Sequence, residues 1–251
     1  MSALLRFLTL VALWLPLSPA QAAAPLRVLF VGNSYFYYNN SLHNHLKGLI
    51  EAHNPSLARQ LEFKSATIGG AHLGQHPIEW LTQPGRLGVR QPFEVVILAG
   101  NSADALHERS AALFQKTVVE FVQVIQSRGG HTALYMTPAY TPPHRQVHPD
   151  NLAKISRMYT EAGQRTGAQV LPVGSSFALS YERRPDIRLH DPHDGSHPSI
   201  YGTYLAACVL LAHLYGINPM GNTYNYHGQV PADVMAHLQQ VAWDSIKQSP
   251  H

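Results

Sequence analysis

Four short segments of this sequence carry side chains whose chemistries complement one another. Gly32-Asn33-Ser34 offers a hydroxyl just beyond an apolar run, and Asp194-Gly-Ser-His197-Pro offers an imidazole three residues after a carboxylate. Between them, Gly69-Gly70 offers bare backbone N–H groups and Gly100-Asn101 a carboxamide. A serine hydroxyl is a poor nucleophile at neutral pH unless a base lies within hydrogen-bond reach. His197 suits that task because an ordinary imidazole titrates near neutrality. Asp194 can accept the other ring N–H, fixing the tautomer and stabilising the imidazolium formed on proton transfer. Oxygen charge developing on an attacked carbonyl needs donors, and the candidates are the Ser34 N–H, the Gly70 N–H and the Asn101 side-chain amide. Glycine suits position 70 because a substrate oxygen must approach the backbone closely. Together these parts make a nucleophilic acyl-transfer site.

The elements that must position them follow from hydrophobic patterning. Leu26 to Val31, Leu61 to Ile68, Phe93 to Ala99, Thr132 to Thr137 and Ala168 to Val173 read as strands. Phe93 to Ala99 is a nearly continuous apolar run, as expected of a strand buried on both faces. Amphipathic spacing predicts helices over Ser41 to His53, Ala111 to Gln126, Asn151 to Thr166, Ile200 to Tyr215 and Ala232 to Lys247. Such alternation implies right-handed crossovers and a parallel sheet covered by helices on both faces. In an open parallel sheet ligands bind beyond the carboxyl ends of the strands. Strand one ends at Ser34, strand two at Gly69-Gly70, strand three at Asn101, and the segment after strand five leads to Asp194 and His197. All four segments therefore converge on one rim.

With those residues in place, the sequence resembles the SGNH hydrolases, also called GDSL esterases/lipases. The match covers essentially the whole chain behind residue 22 in motif order: Phe30-Val-Gly-Asn-Ser34, Ile68-Gly-Gly70, Leu98-Ala-Gly-Asn101 and Asp194-Gly-Ser-His197-Pro. The resemblance implies nucleophile Ser34, oxyanion donors Gly70 and Asn101 beside the Ser34 N–H, and the pair Asp194 and His197. It also implies a flavodoxin-like three-layer α/β/α fold on a parallel sheet of about five strands. Two departures stand out. Asn33 occupies the position where the family usually has Asp, and the third block reads Gly-Asn-Ser-Ala-Asp104 rather than Gly-x-Asn-Asp. A strand register displaced by one would make Gly69 the donor in place of Gly70.

Composition bounds the rest. The 251 residues are 45% hydrophobic and 13% charged, so the chain is globular rather than disordered. A net charge of +3 without any Lys/Arg block gives no support to a nucleic-acid partner. The one cysteine, Cys208, excludes an intrachain disulfide framework and reads as a buried hydrophobe in an apolar helix. Met1 to Arg6, Phe7 to Leu17 and Ala20-Gln21-Ala22 have the form of a cleaved export signal, leaving residues 23–251 as a single domain. The apolar stretch is too short to span a bilayer, and no stable membrane anchor is expected.

Sixteen histidines raise the question of a metal, since His190, Asp191, His193, Asp194 and His197 cluster in sequence. The His72/His76 pair lacks the Glu of a His-Glu-x-x-His pattern, and the serine-dependent chemistry accounts for His197 without a metal or other cofactor. Tyr35-Phe36-Tyr37-Tyr38 offers either stacking surface for a sugar or core rings beneath the first helix. Tyr35, His72 and Tyr140 are the expected pocket residues, and the Pro- and His-rich segment 138–149 a lid or rim. The expected activity is an exported serine esterase acting on short acyl esters, O-acetyl groups on carbohydrate foremost. A lipase or lysophospholipase is the alternative within the class. A non-catalytic carbohydrate-binding or envelope protein retaining the fold is the alternative outside it.

Overall fold

The structure, a computed structural model, describes residues 24–248. The expected export signal at residues 1–22 lies outside the described residues. Five strands, β1 (Arg27–Gly32), β2 (Glu62–Thr67), β3 (Val95–Leu98), β4 (His131–Tyr135) and β5 (Gln169–Leu171), form one sheet in the order β2-β1-β3-β4-β5. Every pairing is parallel. The helices are α1 (Ser34–Tyr37), α2 (Leu42–His53), α3 (Pro55–Ala58), α4 (Ile78–Leu81), α5 (Glu108–Ser127), α6 (Asn151–Thr166), α7 (Val173–Arg183), α8 (Ile200–Tyr215) and α9 (Ala232–Gln248).

Successive strand side chains point to opposite faces, and the sheet uses this period of two to build two cores. Val28 and Phe30 of β1, Ile97 of β3 and Tyr135 of β4 face one layer, where they meet Leu46 of α2, Phe177 of α7, α8 and Leu238 of α9. Leu29, Val31, Val96 and Leu98 face the other, against Ile78 of α4, α5 and α6. On α5 the buried residues Phe114, Val118, Phe121, Val122 and Ile125 recur at helical spacing and make one stripe. Helix α8 differs, being buried without a break from Gly202 to Ala212. It is apolar around its whole circumference because it packs against both α2 and α9. This is the three-layer α/β/α arrangement expected from the sequence.

Differences from the expected elements have local causes. The fifth strand stops at Leu171, and α7 begins at Val173 where a strand was expected to end. Pro172 between them cannot donate to a ladder and presets the backbone for helix entry. The single-turn helix α1 was also missed; the Asn33 side chain starts it by accepting from Tyr35 N–H at 3.3 Å. Helix α8 begins as its sequence suggested, with Ser199 Oγ accepting from Gly202 N–H at 3.2 Å. Among the described residues no helix is long and apolar enough to cross a membrane. Cys208 is fully buried on α8.

Candidate active site

Ser34 is the first residue of α1, immediately past the carboxyl end of β1, and is 7% exposed. Its Oγ lies 2.8 Å from His197 Nε2. His197 Nδ1 lies 2.6 Å from Asp194 Oδ2, so that ring nitrogen carries the proton it donates, and Nε2 is left to accept from the Ser34 hydroxyl. The other carboxylate oxygen, Oδ1, accepts from the backbone N–H of Ser196 at 2.7 Å and of His197 at 2.9 Å. Burial works against the Asp194 carboxylate, yet the bonds from His197 and Ser196 outweigh it and hold its pKa below the usual value.

The turn that presents this pair is closely tied. Gly195 has φ +65, and a Cβ there would lie 2.0 Å from the Thr141 carbonyl oxygen, so only glycine fits. Thr141 N–H donates to Gly195 O at 2.9 Å, and Asp191 N–H to His197 O at 2.8 Å. Segment 138–149, expected as a lid or rim, thus buttresses the turn from behind, with Tyr140 stacked on His144 at 3.6 Å between ring centroids.

The strand ends opposite Ser34 carry the remaining expected residues. Gly70 has φ +68, and its Cβ position meets no atom within 4 Å, leaving that backbone open to an approaching group. Asn101 Nδ2 donates to Gly70 O at 2.7 Å, which uses one of its two N–H bonds and fastens the second and third strand-end loops together. Asn33, the departure from the family pattern, is 2% exposed and donates from Nδ2 to Gly100 O at 2.9 Å and Ala71 O at 3.2 Å. A carboxylate could satisfy neither carbonyl.

These residues border a cavity of about 320 Å³, lined by Asn33, Ser34, Tyr35, Tyr37, Tyr38, Gly69, Gly70, Asn101, Ser102, Ser196 and His197. Of the three expected pocket residues, Tyr35 lines it; that side chain is 3% exposed and donates its hydroxyl to Ser196 O at 3.0 Å. Tyr140 sits behind the wall, donating to Ser102 Oγ at 2.7 Å. His72 stands apart, in a narrow crevice beside Asp104, with Nδ1 2.6 Å from Asp104 Oδ1. Burial raises the Asp104 pKa against the bonds it accepts from His72 and from Asn101 N–H. The run Tyr35 to Tyr38 divides as its two readings would have it: Tyr35 and Phe36 are buried, Tyr37 is exposed and Tyr38 half-buried. Sequence reasoning missed Ser102, Ser196 and the stacking of Tyr38 on His197, and no spacing signals any of the three.

The clustered histidines spread in different directions. His190 meets the Tyr181 hydroxyl at 2.9 Å through Nδ1 while His197 faces Ser34. Among the described residues no three His, Cys, Asp or Glu side chains converge as a metal would require.

No family model matches the chain, and no curated protein matches it. Solved structures do. A DUF4886 family protein from Bacteroides uniformis superposes with a TM-score of 0.67 at 18% identity, covering 88% of this chain and 95% of that one. A candidate SGNH hydrolase from Slackia heliotrinireducens gives a TM-score of 0.60 at 20% identity, over 76% of this chain and 100% of that one. A catalytic mutant of an acetylxylan esterase from Geobacillus stearothermophilus gives 0.57 at 14% identity, over 77% and 96%. At these identities the likeness is one of fold, and the chain has the fold of the SGNH hydrolases.

Proposed function

Starting from a fold shared with SGNH hydrolases, we propose that this chain is an exported serine esterase that removes short acyl groups, foremost O-acetyl groups on carbohydrate. One observation carries the reading: the unbroken hydrogen-bonded series Ser34 Oγ, His197 Nε2, His197 Nδ1, Asp194 Oδ2, at 2.8 and 2.6 Å, at the wall of a cavity. In the reaction Ser34 Oγ attacks the ester carbonyl carbon while its proton passes to His197 Nε2. The carbonyl oxygen takes up the electron pair and is held by the N–H groups of Ser34 and Gly70 and by the free amide N–H of Asn101. Collapse expels the alcohol, which leaves with the proton from His197. Water then attacks the acyl-serine with His197 as base, releasing the carboxylic acid and restoring Ser34. Asp194 stays ionised throughout and holds the imidazole in the productive tautomer.

Cavity lining supports the short acyl group over the lipase alternative. Among the described residues it consists of Asn, Ser, Tyr, Gly and His, with no aliphatic side chain to receive a long chain. Tyrosine, serine and asparagine are the groups that meet hydroxyl-rich ligands. The solved acetylxylan esterase of the same fold is consistent with that class. Export rests on the pattern of Met1 to Ala22 alone. The deciding comparison is turnover of p-nitrophenyl acetate and an acetylated xylo-oligosaccharide against p-nitrophenyl palmitate, with chelator present throughout. The proposal expects acetyl esters to lead by at least about a hundredfold in kcat/KM, which is roughly 3 kcal/mol of discrimination. Equal turnover of the palmitate would favour the lipase reading. Binding of the oligosaccharide without turnover would favour the non-catalytic one.

A further inference from the structure

Tyr38 lies with its ring parallel to the imidazole of His197, at 4.1 Å between centroids and 3° between planes. A single stacked pair needs little explanation, but the chain immediately after Tyr38 is unusual. Asn39, Asn40 and Ser41 all have positive φ, at 52, 68 and 68. Three successive non-glycine residues in the left-handed region persist only where surrounding structure over-determines them. Here the restraints are visible. Asn39 Nδ2 donates to Pro198 O at 2.9 Å and to Thr203 Oγ1 at 2.8 Å. Asn39 O accepts from Nε2 of the fully buried His45 at 2.6 Å. Two of these three bonds run to the segment that begins directly after His197. The strained turn therefore fastens Tyr38 to the piece of chain whose imidazole it covers. Phe36, two residues earlier, goes to the core, whereas Tyr38 goes to the imidazole.

We propose that Tyr38 is a positioning residue for His197, with Asn39 as its anchor. The stack fixes the plane of the imidazole so that Nε2 stays aimed at Ser34 Oγ. It also presents an aromatic face to the imidazolium that exists only while the serine proton resides on the ring, an interaction stronger in the transition state than before it. The inference rests on the esterase reading above, because it assigns Tyr38 a role in that reaction.

The test compares Tyr38→Phe, Tyr38→Leu and Tyr38→Met with the wild type, each confirmed folded by circular dichroism. Two readouts are needed: kcat and KM on p-nitrophenyl acetate, and the ring-proton NMR shifts of His197, assigned by their absence in His197→Ala. We expect the leucine and methionine variants to lose about tenfold in kcat with KM within about twofold, as loss of a cation–π contact predicts. Tyr38→Phe, which keeps the aromatic face, restores kcat to within about threefold. The His197 ring protons should resonate upfield in the wild type and Tyr38→Phe, and move downfield without the ring. Wild-type kcat in both non-aromatic variants, failure of phenylalanine to restore it, or unmoved resonances would overturn the inference while the esterase reading stands. A wild type inert toward every acetyl ester would overturn both.

Discussion

Asn33→Asp exchanges one amide for a carboxyl at a position where the two strand-end carbonyls of Gly100 and Ala71 both require a donor. The side chain is 2% exposed, and its Nδ2 lies 2.9 and 3.2 Å from those oxygens. An ionised aspartate there would set a carboxylate against two carbonyl oxygens with almost no water, so the carboxyl is expected to stay protonated in the folded protein. Pushing a buried carboxyl from its ordinary value of about 3.9 to about 7 costs roughly 4 kcal/mol near neutrality. The protonated form carries one donor in place of two, losing about 1 kcal/mol more. A group whose folded pKa is raised contributes stability that is present below its unfolded pKa and lost as pH rises toward its folded one. The penalty should therefore be about 5 kcal/mol at pH 7.5 and about 1–2 kcal/mol at pH 4.5. For a chain of this size that corresponds to roughly 10–20 °C off Tm at the higher pH. Thermal unfolding of variant and wild type side by side at both pH values checks it. A variant within about 2 °C of wild type at pH 7.5, or a deficit that does not shrink toward pH 4.5, would mean that Asn33 is not needed as a double donor to these carbonyls. The expected outcome would give a physical reason for asparagine rather than aspartate at position 33.

Three further outcomes follow from the same geometry. Asp194→Asn should leave the fold intact and lower kcat by about 10³–10⁴, because an amide can hold His197 in the unproductive tautomer; a loss under tenfold on p-nitrophenyl acetate would contradict that role. Gly195→Ala must place a methyl 2.0 Å from the Thr141 carbonyl at φ +65, and the turn carrying Asp194 and His197 has to shift. Chemical denaturation should show a loss above about 2 kcal/mol together with reduced kcat, and an unaltered variant would mean the turn is looser than described. Burial lowers the pKa of His190 and of His213 to about 4, from an ordinary value near 6.5. The unfolded chain binds those protons first, so stability falls as pH drops from 6.5 toward 4, by up to roughly 3 kcal/mol per histidine. A urea midpoint that stays flat between pH 7 and pH 4.5 would contradict this.

Much of the fold was legible because its parts carry strong local signals. Runs such as Val95–Leu98 are apolar on both faces, as a strand covered by helices must be, whereas α8, expected from amphipathic spacing, is instead buried without a break from Gly202 to Ala212. Helix α7 was hidden because Pro172 and Val173 read as the end of the fifth strand, which in fact spans only Gln169–Leu171. The grouping of Ser34, Gly70, Asn101, Asp194 and His197 was legible because parallel topology sends every strand end to one rim. Illegible were contacts set by side-chain direction. Tyr38 reaches His197 only through a left-handed turn that no asparagine pair announces. His72 is drawn out of the cavity by Asp104, 32 positions away. The donor role of Asn33 depends on two carbonyls that come together only when the sheet forms.

Reactivity toward an active-site-directed electrophile separates a Ser34 nucleophile activated by His197 from an inert hydroxyl. Incubation with a fluorophosphonate, followed by intact-mass and peptide mass spectrometry, tests it without any assumption about the natural substrate. One covalent adduct is expected, located on Ser34, absent in Ser34→Ala and slowed by at least about a thousandfold in His197→Ala. No adduct on the folded wild type, or one carried by another residue and retained in Ser34→Ala, would contradict it.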